Sequence, residues 1–157
     1  MNIELIVVGK TDSKEVARLV EEYQNRIGFY LRFGISVIPD VKNTRSMSEA
    51  QQKKAEGECI LRLLQPSDYV VLLDEKGLQP TSEEYAEWLQ KRMASGCKRL
   101  VFVIGGPYGF SQEVYERASS KISLSKMTFS HQIVRAIFAE QLYRALTIIN
   151  NEPYHHK

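Results

Sequence analysis

"RLVFVIGGPYGFS" (Arg99–Ser111) runs from an unbroken apolar segment into three glycines within five positions, then reaches a serine suited to cap a helix. An apolar run without alternation is the mark of a strand covered on both faces. A strand, a tight turn and a helix in succession make the repeating unit of an α/β sheet. Nucleotide sites open in the same way, but Gly105, Gly106 and Gly109 form no G-x-G-x-x-G. Gly9-Lys10 likewise lacks the upstream glycine of a P-loop. The glycine segment therefore reads either as a tight turn or as backbone shaped to approach a ligand that carries no phosphate.

The alternation extends along the whole chain. Ile3–Val8 is a first apolar strand, followed by Asp12 and Glu15 at capping-box spacing and a helix to about Ile27. Ile35–Pro39 is a second strand, and Ser46 with Glu49 repeats the box before a helix ending near Leu64. Tyr69–Asp74 is a third strand, and Thr81 with Glu84 opens a helix through about Met93. After the fourth strand and a short helix capped by Ser111, Lys121–Ser125 is the fifth strand. A last helix, about His131 to Ile149, sets Ile133, Val134, Ile137, Phe138, Leu142, Leu146 and Ile149 on one apolar stripe. Strands alternating with helices predict an α/β fold with a mostly parallel sheet and helices on both faces. Ligands of such sheets sit beyond the carboxyl ends of the strands, where the glycine segment lies.

A chain of 157 residues with 43% hydrophobic and 25% charged residues is expected to fold as one soluble domain spanning 1–157. No apolar run approaches the roughly 20 residues of a membrane span. The opening "MNIELIVVGK" lacks the basic region and cleavage site of a signal peptide. The expectation is a cytoplasmic protein with no membrane partner, its Cys59 and Cys97 reduced. A net charge of +2 permits RNA binding without announcing it. His155 and His156 are adjacent, yet no further ligands stand at metal-binding spacing, so no metal is expected.

Three segments together, "GGPYG", "LSKMTFSHQIVR" (Leu124–Arg135) and the tail "EPYHHK", resemble the RlmH family of SPOUT-superfamily RNA methyltransferases. The resemblance spans essentially the full chain, including "IELIVVGK". It implies a C-terminal trefoil knot, a homodimer, and S-adenosylmethionine as methyl donor held by three loops. Matched residue by residue, these loops place Leu72 and Leu73, Gly105 and Gly106, and Leu124, Ser125, Lys126, Met127, Thr128 and Phe129 against the donor. The activity implied is methylation of N3 of a pseudouridine in 23S ribosomal RNA of the large subunit or assembled ribosome. Tyr154 and His155 match the tail motif that would accept the imide proton or orient the base. His156, expected to bind RNA, stands where relatives commonly carry Lys or Arg.

Each of these residues also has a plainer reading. Met127 and Phe129 suit core filling, His131 either contact on the ligand side of the last helix or a polar place in its first turn, and the tail a frayed end. Arg135 and Arg144 suit RNA phosphate, or pairing with helix neighbours such as Glu140, four residues before Arg144. Lys53, Lys54, Lys91 and Arg92 read as solvated helix faces. The pattern of strands and helices also fits a flavodoxin-like nucleotide-binding module, which needs phosphate-holding groups after the first strand, where only Thr11 and Asp12 stand. A ribosome-binding protein that has lost catalysis is the third alternative.

Overall fold

The computed structural model describes residues 1–42 and 44–156; Lys157, the last residue of the tail motif, lies outside them. In chain order the elements are β1 (Asn2–Val8), α1 (Lys14–Ile27), β2 (Phe33–Ile38), a 3-10 turn (Thr44–Ser46) and α2 (Glu49–Arg62). Then come β3 (Tyr69–Leu78), α3 (Ser82–Ala94), β4 (Arg99–Ile104), α4 (Gln112–Arg117), β5 (Ser120–Ile122) and α5 (Ile133–Ile149). The five strands form one sheet in the order β2-β1-β4-β3-β5, and every pairing is parallel.

Both faces of this sheet are covered, which explains the unbroken apolar strands. Along β4, Leu100, Phe102 and Ile104 point to one side and pack with Leu89, Phe138 and Leu142 of α3 and α5. Val101 and Val103 point to the other and meet Ile60 and Val114 of α2 and α4. Phe102 and Phe138 sit at the centre, with ring centroids 4.8 Å apart and neither side chain exposed to more than 1%.

Several boundaries differ from the sequence reading. The residue directly before α1 in extended conformation is Ser13, and its hydroxyl accepts from Val16 N; the amide of Asp12 instead donates to Gln132 Oε1. Ser46 belongs to the 3-10 turn, so the box before α2 is Ser48 with Gln51. β5 stops at Ile122, not Ser125, because Ser123 Oγ donates to Ser125 O and Ser125 Oγ accepts from Met127 N. Side chains that take over the backbone's hydrogen bonds end a strand. The boxes at Thr81–Glu84 and the cap at Ser111 form as expected.

β3 runs past the expected end at Asp74 to Leu78, with an irregularity between Leu73 and Leu78. There the extension crosses β5 with backbone against backbone: a methyl group at Gly77 would lie 2.6 Å from Ile122 N. Ser123 N donates to Leu78 O at 2.8 Å, fixing where the next loop begins.

Candidate functional site

A cleft of about 710 Å³ opens at the carboxyl ends of β3, β4 and β5. Its walls are the end of β3, the glycine loop after β4 and the segment from Ser123 to His131 ahead of α5. Leu73, Gly105, Gly106, Leu124, Ser125, Lys126, Met127, Thr128 and Phe129 all line it. Leu72 does not. A strand alternates its faces, so Leu73 turns to the cleft side while Leu72 is fully buried with Val70 and Val103.

The glycines earn their place differently from the sequence reading. A methyl group at Gly106 would lie 2.4 Å from Glu56 Oε1, and one at Gly105 would lie 3.0 Å from the ring of Phe110. Protein atoms behind the loop already crowd a side chain at both positions. Gly109 meets nothing but has φ +83°, a left-handed turn that favours glycine.

Several cleft residues carried no signal that singled them out. Asp74 and Tyr115 face each other in a hydrogen bond donated by the tyrosine, and Lys76 N donates to the other oxygen of Asp74. Burial first, then the Asp74 carboxylate, raises the Tyr115 pKa and keeps the phenol protonated. Lys121 Nζ lies 5.6 Å from the Tyr115 ring centroid. Asp74 could have been suspected as the polar end of an apolar strand; Tyr115 could not. His131, for which a ligand contact is one of two sequence readings, lines the cleft at the chain's entry to α5.

Phosphate is poorly served here. Of the two helix starts beside the cleft, that of α4 is closed by buried Ser111, whose Oγ accepts from Val114 N, and at that of α5 Ser130 Oγ accepts from Ile133 N. Among the described residues no group of His, Cys, Asp or Glu is placed to hold a metal, and no helix is long and apolar enough to cross a membrane.

Arg135 requires a correction. Its side chain is not offered to RNA: the residue is 2% exposed, and its guanidinium donates to Val8 O at 2.8 Å, Thr11 Oγ1 at 3.0 Å and His131 O at 3.0 Å. Together with Gln132, which meets Asp12 N and Lys10 O, it clamps the β1–α1 loop to the start of α5. Arg135→Met should therefore lower stability by about 2–3 kcal/mol, through a buried carbonyl left without its donor. A urea midpoint reads that loss, and RNA affinity of the folded fraction should not change.

Arg144 follows its helix-pair reading. It donates to Glu140 Oε1 at 2.6 and 3.0 Å and approaches His155 Nδ1 at 3.0 Å. Arginine can only donate, so Nδ1 accepts and Nε2 carries the proton toward Glu83 Oε1, 2.9 Å away. The tail is thus ordered instead of frayed. Tyr154 lies 3.1 Å from both Tyr23 Oη and Glu140 Oε1, with its ring edge-on to Tyr143 at 4.7 Å. Burial, the Tyr23 hydroxyl and Glu140 all raise its pKa, so at neutral pH Tyr154 is a donor and not a base. His156 is exposed. None of Tyr154, His155 and His156 lines the cleft of its own chain.

Comparison with known proteins agrees with this architecture. A family described as "Predicted SPOUT methyltransferase" matches residues 1–155. Proteins named "Ribosomal RNA large subunit methyltransferase H" from Christiangramia forsetii and Parabacteroides distasonis are each 60% identical to the chain over 157 residues, covering all of both sequences. The protein of that name from Flavobacterium johnsoniae is 55% identical over the same span. With a full-length match of this strength and a cleft walled by the expected segments, the chain belongs to the SPOUT methyltransferase family.

Proposed function

We propose that this chain, acting as a single domain, transfers a methyl group from S-adenosylmethionine to N3 of a pseudouridine in 23S ribosomal RNA of the large subunit. The observation that carries the reading is the cleft, where two sequence segments that resemble the family's donor-binding loops face each other at the carboxyl end of the sheet. Its volume falls within the roughly 300–1,000 Å³ of small-molecule sites. It is suited to S-adenosylmethionine, which carries no phosphate: backbone at Gly105 and Gly106, apolar walls at Leu73, Ile104 and Leu124, and hydrogen-bonding groups at Asp74, Ser125 and Thr128.

In the reaction the imide N3 gives up its proton, its electron pair forms the new C–N bond, and the C–S bond breaks toward sulfur, leaving a neutral thioether. The bound donor supplies the activated methyl. The chain's residues hold the two reactants in line, which can lower the barrier by several kcal/mol. Tyr154, protonated at neutral pH, suits donation to a carbonyl of the base once its single proton turns from Glu140 Oε1, and thereby stabilises the N3 anion. The proton itself leaves to water or to His155 once Arg144 releases Nδ1.

Because the tail stays on its own α1 and α5, a homodimer that brings a second copy's tail to each cleft accounts for both halves of the site. Membership of the SPOUT methyltransferase family supports reading the C-terminal half as a trefoil knot. A flavodoxin-like module is disfavoured by the β1–α1 loop, where Thr11 Oγ1 accepts from Arg135, Asp12 N donates to Gln132 and Ser13 Oγ accepts from Val16 N. Calorimetric titration with S-adenosylmethionine, followed by transfer of its labelled methyl to large subunits and to free 23S RNA, tests the reading. Saturable binding with label on the particle is the expected result; binding without transfer to either substrate would leave the cleft assignment and overturn the substrate.

A further inference from the structure

Glu56, on α2, is an acidic side chain that the reaction above does not use. It is 3% exposed, and a methyl group at Gly106 would reach within 2.4–2.8 Å of its carboxyl group, so the two are in close contact. Its Oε2 accepts one hydrogen bond from Gln52 Nε2 at 3.2 Å, while Oε1 has no partner. Among the described residues no cation pairs with it, and Asp40 adds a second negative charge nearby. Gly106 itself lines the cleft, so a single layer of glycine backbone separates this carboxylate from the ligand space.

Burial raises the Glu56 pKa, the Gln52 hydrogen bond opposes that and Asp40 adds to it; the ionised carboxylate is therefore costly in the empty protein, and a cation arriving within its field favours the ionised form and offsets that cost. The other charges around the cleft, Asp74, Glu75, Lys53, Lys76 and Lys126, lie on its lining and are more open to water, where charge is screened. Behind the glycine loop, water does not screen Glu56.

Resting on the proposed donor site, we infer that Glu56 is a specificity residue that favours the cationic sulfonium donor over its neutral thioether product. The mechanism follows from the charge change of the reaction. Methyl transfer turns a sulfonium into a thioether, so the attraction from Glu56 is present for the donor and absent for the spent product. Glu56 thereby helps the cleft load the donor and release what remains of it, without touching either.

The test compares wild type with Glu56→Gln, an isosteric change that keeps the side chain's bulk behind Gly106. Affinities for S-adenosylmethionine, for S-adenosylhomocysteine, and for an analogue carrying a protonated amine in place of the sulfonium are measured by calorimetry. Affinity for the two cationic ligands should fall about tenfold, as expected of one charge–charge interaction at intermediate dielectric. Affinity for the neutral product should change by less than about twofold. The unliganded variant should melt at or above the wild-type temperature, since a buried charge has been removed.

Equal losses for all three ligands would make Glu56 a mere support of the loop and overturn the inference alone. Wild-type protein that binds none of the three would overturn the donor site with it. Should the glutamine variant misfold, the wild-type affinities still decide: an amine analogue bound no more tightly than the neutral product contradicts the inference.

Discussion

Tyr154→Phe combined with His155→Ala should abolish methyl transfer, by about a thousandfold or more, while S-adenosylmethionine still binds the cleft within about twofold of wild type. The separation of effects comes from the geometry. Neither residue lines the cleft of its own chain, and in the proposed homodimer the partner's tail meets the base and not the donor, so donor affinity should hold. Each has a specific polar role that the substitution removes. Tyr154 loses the hydroxyl shared between Tyr23 and Glu140, yet the ring keeps its packing on Tyr143 and beneath the Arg144 guanidinium, 4.8 Å from its centroid. His155 loses the imidazole bridging Arg144 and Glu83. The single variant Tyr154→Phe, which leaves packing intact, separates the chemistry from any loosening of the tail. Single-turnover rates on large subunits with saturating donor provide the measurement.

Gly77→Ala should be the most damaging single methyl group in the chain, costing more than about 3 kcal/mol. Its new carbon would lie within 2.6–2.7 Å of Ile122 N, Ile122 C and Lys121 C, all backbone atoms that no rotamer change can move. Relief requires β3 and β5 to part where Ser123 N meets Leu78 O. Because the cleft segment starts at Ser123, donor binding should be lost with the stability. Gly96→Ala is the control: at φ +81° with nothing within 4 Å, it carries conformational strain alone, about 1 kcal/mol. Urea midpoints of the two variants give the comparison, and similar midpoints would mean that the crossing yields easily.

The parallel sheet was legible because its strands are apolar on both faces, as Leu100 to Ile104 show, and because Thr81, Glu84 and Ser111 mark helix starts in the residues themselves. The cleft segments were legible only through resemblance. In composition, "LSKMTF" looks like the end of a strand, and only the hydroxyls of Ser123 and Ser125 turn it away from β3. Arg135 could not have been placed from sequence, since a basic residue on a helix faces solvent unless a carbonyl such as that of Val8 waits for it across the fold. Glu56 was hidden for the same reason: its neighbour Gly106 lies 50 positions away, and nothing local marks an acid that will be buried. The tail's partners, Tyr23, Glu83 and Glu140, come from three different helices or their first turns.

The most direct measurement of the central claim is the identity of the modified nucleoside. Large subunits from cells lacking the endogenous modification are treated with the purified protein and S-adenosylmethionine, and their 23S RNA is digested and analysed by mass spectrometry. The account predicts one new nucleoside, pseudouridine methylated at N3, absent when Tyr154 and His155 are both replaced. A methyl group on a ribose, on another base, or on no nucleoside at all would contradict it.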